Sequence, residues 1–431
     1  MLEAIGIIAF ILAILFSIAW HELGHFIPAK KFGVKVTQYM IGFGPTLWSK
    51  RKGETEYGVK AIPFGGYIRM IGMFPPGPDG KLKPSSTGRL AAMIEDARSQ
   101  AQEEIFTEDD RRRAFYQLSV PKKLVIMLGG PVMNLILAFV LFTVLLVGLG
   151  TPGPSLTVGL VTPCTPTISS PQGDCGTGSA QSPAAQAGLQ TGDQITSFNG
   201  TAMTSWDQFS QAIRNAPAGA ATIGIIRNDQ PTTLTADIQV VTRAVVGPDG
   251  QLTNDTAPQG FLGMSPEQVL QPQPLSAVPA QMWDLTARTA GAVVTIPSKL
   301  VGVFQAAFGG QQRDPDGPVG VVGVTRISGD VVAANVPTNW KFAQFLGLVA
   351  SLNLFLFLFN LIPLLPLDGG HVAGALWEGA RRQIAKLRRR PDPGPVDVAK
   401  ALPVAYAVAF ILIGMSALLV YADVVNPIRI G

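Results

Sequence analysis

The sequence predicts a mainly α membrane protein with four transmembrane helices. A membrane-associated β hairpin is expected between the first two helices, and an extracytoplasmic α+β domain between the second and third. Three observations carry this prediction. First, the 431 residues are 47% hydrophobic and only 14% charged, whereas soluble domains carry about a quarter charged residues. Second, four apolar runs, 3–29, 124–149, 342–366 and 401–422, are each long enough to cross ~30 Å of hydrocarbon. Third, the charge balance reverses between the polar segments that separate them. The expected divisions are a membrane region 1–149, an α+β domain 150–270, an amphipathic connector 271–340 and a second membrane region 341–431.

The first run holds the motif around which the chain is organised. Ala4 to Trp20 is almost wholly apolar, and His21-Glu22-Leu23-Gly24-His25 follows directly. Two histidines four residues apart share one helix face. Both imidazoles can then reach one zinc ion, and the intervening Glu22 can take a proton from the attacking water. A histidine in an apolar helix is more often a hydrogen-bonded interior residue than a ligand. Here, however, two of the only three histidines in the chain flank a glutamate. Three ionisable groups clustered in a membrane segment need a shared reason, and a metal supplies one. The run does not read as a signal peptide: it lacks a basic start, carries Glu3 and has no small-residue cleavage site. It ends at Pro28, Lys30 and Lys31, which puts His21 roughly 13 Å inside that basic edge.

Residues 30–123 are basic, with 17 Lys+Arg against 10 Asp+Glu. Within them, Gly42–Pro45 and Tyr57–Met70 have strand character, with Gly65 and Gly66 marking a tight turn or close backbone approach. A hairpin there, lying beside the motif, would offer a strand edge to an extended peptide, although a plain surface hairpin fits the propensities equally. Residues 75–88 read as loop and Arg89 to Asp110 as a polar exposed helix. The second run contains Gly129-Gly130-Pro131 and Asn134, small and polar residues of the kind that let membrane helices pack closely.

Residues 150–340 reverse the balance, with 7 Lys+Arg against 12 Asp+Glu, and hold both cysteines, Cys164 and Cys175. That clustering favours one disulfide in an oxidising compartment. Short strands from Val158 to about Gly263 and a helix at 206–214 give the α+β reading. The apolar stretch 290–308 is not read as a span, because Pro297 and Lys299 interrupt it. Counting it would also separate the two basic loops. With four spans, loops 30–123 and 367–400 share one side and hold 24 Lys+Arg between them. They are expected to be cytoplasmic, which leaves the cysteines outside.

A catalytic zinc needs three protein ligands and an open position. Asp368, just past the proline-broken end of the third run, is the best third candidate, because a carboxylate there needs a partner. On turn chemistry alone, Asp368-Gly369-Gly370 reads as a helix-end turn. The incomplete two-histidine site tips the choice toward a ligand, and His371 is a weaker candidate. Two alternatives to an enzyme are a non-proteolytic membrane scaffold and a metal transporter. A scaffold would not need Glu22, and a transporter would need more ionisable residues along a path than the spans contain.

Together these residues resemble the site-2 proteases, intramembrane zinc metalloproteases, in their bacterial RseP/Rip type. The resemblance rests on His21-Glu22-Leu23-Gly24-His25, Gly42-Phe43-Gly44-Pro45, Pro63-Phe64-Gly65-Gly66-Tyr67, Gly130-Pro131-Val132-Met133-Asn134 and Asn360 through Pro363 and Pro366 to Gly370, all in family order. The Ala187-Gly188-Leu189 and Gly192-Asp193-Gln194-Ile195 stretches resemble a PDZ domain, and a single one resembles the actinobacterial branch. The insertion 162–182 and the loop 74–118 are less typical of the family. The resemblance implies that His21, His25 and Asp368 bind Zn2+ and that Glu22 is the catalytic base. It also implies that the 57–70 element, including Gly65, Gly66 and Tyr67, and Asn360, Pro363 and Pro366 hold substrate. The implied substrates are single-span membrane proteins, such as anti-sigma factors or signal-peptide remnants, first shortened outside by another protease. The implied location is the bacterial plasma membrane. Lipid is an expected partner and nucleic acid is not.

Overall fold

The computed structural model describes residues 1–73, 75, 107–165, 180–246, 252–314 and 317–427. The chain forms two compact units, one of Met1–Gly148 with Pro274–Gly431 and one of Leu149–Gln273.

The first unit opens with helix α1, Leu2–Lys31. Two strands follow, β1 (Val36–Lys52) and β2 (Thr55–Met70), paired antiparallel. The hairpin turn falls at Gly53-Glu54, and the Gly42–Pro45 and Gly65-Gly66 sites lie inside the strands. The strands instead bend there: Gly42, Gly44 and Gly65 have positive φ, and the register shifts repeatedly between Gln38 and Trp48. Each bent strand therefore pairs twice. Residues 38–41 pair with 56–59 on one side and with 66–69 on the other, and 46–52 fold back onto 55–60. The outer segments of this small sheet are 46–52 and 66–70. Among the described residues, no further strand pairs with either.

A salt-bridge cluster ties the hairpin turn to its surroundings. Arg113 donates to both Glu54 carboxylate oxygens, at 2.9 and 2.8 Å, and Lys30 also pairs with Glu54. The paired Arg113 hydrogen bonds hold the Glu54 carboxyl at about 2, far below the ordinary carboxylate value. The folded pKa lies below the unfolded one, so the tether contributes fully above ~4.3 and is lost as pH falls toward 2. Hydrogen exchange of amides 50–56, referenced to the intrinsic rate at each pH, should accelerate across that window. With Arg113→Met the same amides should already exchange fast at pH 5.

The expected helix Arg89–Asp110 lies outside the described residues except for its last few, which begin a short helix, Glu108–Arg112. Helix α2, Val120–Thr143, comes next, and its span continues to Leu149.

The second unit is a mixed domain. Its strands are β3 (Thr151–Val161), β4 (Gln194–Phe198), β5 (Gly219–Arg227), β6 (Gln230–Val246), β7 (Leu252–Phe261) and β8 (Met264–Gln271). They pair antiparallel in the order β7-β6-β5-β4-β3-β8. Helix α3, Trp206–Asn215, is capped by the Ser205 hydroxyl and turns Phe209 and Ile213 into the core. There they meet Val158, Ile195, Phe198, Ile223, Ile225 and Ile238. Buried Asp193 closes the turn before β4 through two bonds to Arg227, each 2.7 Å. Cys164 is buried and disulfide-bonded; Cys175 lies outside the described residues.

The chain then re-enters the first unit through α4 (Ala277–Phe308), bent by 67° near residues 292–295, and α5 (Val321–Ala333). The connector 271–340, which reads as amphipathic, is therefore largely helical. Its bent helix passes the length and hydropathy test for a span only if its two halves are joined, whereas α1, the α2 span, α6 and the final helix pass individually. Helix α6, Thr338–Asn360, ends six residues before the expected limit of its run. Pro363 and Pro366 fall in the irregular stretch after it, and helix α7, Asp368–Leu387, starts directly afterwards. Helix α8, Leu402–Val425, completes the unit.

Small and polar residues bring these helices together. A Cβ on Gly6 would lie 2.7 Å from the Ser328 carbonyl oxygen, so α1 and α5 cross almost backbone to backbone. Buried Asn353 of α6 donates to Ser17 of α1 at 2.9 Å. Asn360, seven residues further along α6, bonds back to Leu356 O.

Candidate metal centre

Three helices converge on one point. α1 supplies His21 and His25, one turn apart, and α7 supplies Asp368 from its first turn. The Nε2 atoms of His21 and His25 lie 3.2 Å apart, and Asp368 Oδ2 lies 3.1 Å from one and 3.3 Å from the other. Among the described residues these three form the group of His, Cys, Asp or Glu side chains that could hold a metal. His371, the weaker candidate, is one turn further along α7 and does not join the group.

The donor set fits zinc. A tetrahedral ion ~2.0–2.1 Å from each ligand separates its ligands by about 3.3 Å, matching the observed triangle. Asp368 Oδ2 is buried yet makes no hydrogen bond, although both rings crowd it. His25 Nδ1 donates to the Ile126 carbonyl at 2.7 Å, which leaves Nε2 with a free lone pair pointing into the triangle.

The third helix, α2, shapes the space around the triangle. A Cβ on Gly24 would overlap the Gly129 carbonyl oxygen, and a Cβ on Gly129 would overlap that of Gly24. The helices are therefore in backbone contact at the level of the motif. A Cβ on Gly130 would overlap His25 Nε2 and lie 2.7 Å from His21 Nε2. Gly130 thus keeps open the place where the nitrogens face one another. Trp20 donates to the Met133 carbonyl at 2.9 Å, fixing the rotation of α1 against α2.

Glu22 is buried beside the triangle and faces the hairpin sheet. A Cβ on Gly66 would lie 3.0 Å from Glu22 Cγ. Tyr39 of β1 donates to Ala19 O at 2.6 Å, pinning the sheet along α1 next to the motif. Of the other residues singled out by sequence, Gly65, Gly66 and Tyr67 lie on the outer segment 66–70 or at its entry. Tyr67 stacks on Phe43 and donates to Gln38. Pro363 and Pro366 are exposed in the stretch leading to Asp368.

Some residues that build this site were read from sequence only as packing, or not at all. Gly130 and Asn134 were noted as close-packing features of the second run. Their offset of four residues, which puts both on one face of α2, was the available signal. Helix α7 falls in a stretch that reads as a basic loop, because Arg381, Arg382, Lys386 and Arg388 to Arg390 dominate it. The fully buried pair Lys123–Glu378, at 2.8 Å, joins α2 to α7 and had no signal at a separation of 255 residues.

The chain has known relatives along its full length. Residues 9–391 match Peptidase family M50. The chain is 36% identical over 439 residues, with full coverage of both chains, to the zinc metalloprotease Rip1 of Mycobacterium tuberculosis and to that of Mycobacterium bovis. It is 33% identical, again over the full length of both, to the zinc metalloprotease Rip1 of Mycolicibacterium smegmatis.

Proposed function

The chain belongs to peptidase family M50 and is a zinc metallopeptidase of the site-2 protease type, with four single helices long and apolar enough to cross a membrane among its described residues; on that premise, we propose that it is an endopeptidase that cuts single-span membrane proteins within the bilayer. The observation that carries this reading is the triangle of His21, His25 and Asp368, set between the apolar helix α1 and the start of α7 and flanked by Glu22.

In this reading His21, His25 and Asp368 hold the ion. Bound there, zinc supplies a Lewis acid that polarises the scissile carbonyl and makes water a competent nucleophile at neutral pH. Glu22 takes the proton from that water and passes it to the leaving nitrogen. The helices around it exclude bulk water, which strengthens every charge in the site.

A helical substrate hides its carbonyls in its own hydrogen bonds and must be unwound before it can be cut. The outer segment 66–70 runs past Glu22 with no strand beside it among the described residues. An extended substrate can add to that edge by main-chain pairing, with Gly65, Gly66 and Tyr67 below it. Asn360, Pro363 and Pro366 flank the approach from the Asp368 side. The charge asymmetry supports cytoplasmic loops 30–123 and 367–400 in the plasma membrane and an extracytoplasmic PDZ-like domain, 150–270, with Cys164 bonded to Cys175. A domain of that kind suits a step in regulated proteolysis, in which a substrate such as an anti-sigma factor is shortened outside before it is cut.

The test is cleavage of a single-span reporter protein by the full chain in liposomes. Glu22→Gln should slow it by ~10²–10⁴-fold with zinc content unchanged. Equal cleavage by the variant would put the activity elsewhere, and a chain that binds zinc but cuts no such substrate would favour a scaffold.

A further inference from the structure

The two histidines are oriented from the same helix, but by different means. His25 is held by a backbone carbonyl, which can only accept, so its Nδ1 must carry the proton. His21 Nδ1 faces the side-chain amide of Asn134, 3.1 Å away, and Asn134 is 0% exposed. An amide can present either its NH2 or its oxygen. With the NH2 toward the ring, Nδ1 would have to accept, and the neutral ring would then carry its proton on Nε2. That proton would point at His25 Nε2 and Asp368 Oδ2, where the ion belongs. With the oxygen toward the ring, Nδ1–H donates to it and Nε2 is free to bind metal. With the NH2 toward the ring, the amide oxygen is buried with no hydrogen-bond partner among the described residues, so nothing on that side holds the amide in that orientation.

We propose that Asn134 is the positioning residue for the metal: its side-chain oxygen accepts from His21 Nδ1–H, fixing the tautomer and ring rotation that present Nε2 to the zinc. This rests on the assignment of His21, His25 and Asp368 as ligands. Asn134 lies four residues after Gly130, on the same face of α2. One face of one helix thus both leaves room for the ion and sets the histidine beside it. Outer partners of this kind typically change metal affinity by ~10–100-fold when removed.

The experiment is a zinc-affinity measurement by chelator competition on the full chain in detergent. It compares wild type with Asn134→Leu, which keeps the branched shape and heavy-atom count and removes all hydrogen bonding, and Asn134→Asp, whose ionised carboxylate can only accept. Asn134→Leu should weaken zinc binding ~10–100-fold, and Asn134→Asp should restore it to the wild-type level or better. If Asn134 only fills space, Asn134→Leu will bind zinc as wild type does and Asn134→Asp, with a buried charge, will be the damaged variant; that result overturns the proposal. Should Asn134→Leu fail to fold, Asn134→Asp alone still decides, because a packing role does not tolerate a carboxylate there. A wild-type chain whose zinc is indifferent to His21→Ala would instead overturn the ligand assignment beneath it.

Discussion

Gly130→Ala should leave the chain in the membrane but without its zinc, with affinity reduced by more than the ~100-fold upper range seen when an outer partner of a ligand is lost. The added methyl overlaps His25 Nε2 and sits 2.7 Å from His21 Nε2. The ring nitrogens could avoid it only by rotating away from each other, and His25 is held in place by the Ile126 carbonyl. Nor can α2 retreat. Gly129 and Gly24 are already in backbone contact, and Trp20 bonds to Met133 across the same crossing. Atomic absorption on the purified variant, with membrane insertion checked by flotation, reads the effect directly. Full zinc occupancy in this variant would mean that the ion does not lie between these nitrogens.

Removing Glu378 from the Lys123–Glu378 pair should destabilise the membrane unit by ~3–5 kcal/mol, because Lys123 is left buried without its counterion. The two side chains are 5% and 3% exposed and 2.8 Å apart. Glu378 also accepts from the Val396 backbone and pairs with Arg382. Glu378→Leu alone should therefore lower the thermal midpoint in detergent sharply, and Lys123→Met, which leaves Glu378 its Arg382 pair, should lower it less. Lys123→Met with Glu378→Leu should recover most of the loss, since a well-packed apolar pair can replace a buried ion pair at little cost. The pair holds α7 against α2 ten residues beyond Asp368, so Glu378→Leu alone should also loosen zinc binding. Similar stability in Glu378→Leu and the double variant would show that water reaches the pair.

How much of this was legible in the sequence differs from residue to residue. His21, Glu22 and His25 were readable because a helix converts a spacing of four into a shared face. The spans were readable because hydrocarbon thickness imposes a minimum apolar length. Asp368 was readable only by combining two arguments, since its own neighbourhood is equally a turn. The hairpin was anticipated in place but not in form. Its glycines predict tight turns or close backbone approach: Gly42, Gly44 and Gly65 bend long strands so that each pairs twice, and Gly66 is a close approach against α1, where Tyr39 also holds the sheet. The roles of Gly130 and Asn134 depend on which face of α2 meets α1. That is a tertiary fact, and a single apolar run does not encode it.

The central claim is that His21, His25 and Asp368 bind one zinc. X-ray absorption at the zinc edge of the full chain tests it most directly. Two imidazole nitrogens and one carboxylate oxygen at ~2.0–2.2 Å, with a light atom in the open position, are expected. Asp368→Ala should remove the carboxylate shell and most of the bound metal. A sulfur shell near ~2.3 Å, or a spectrum unchanged by Asp368→Ala, would contradict the account.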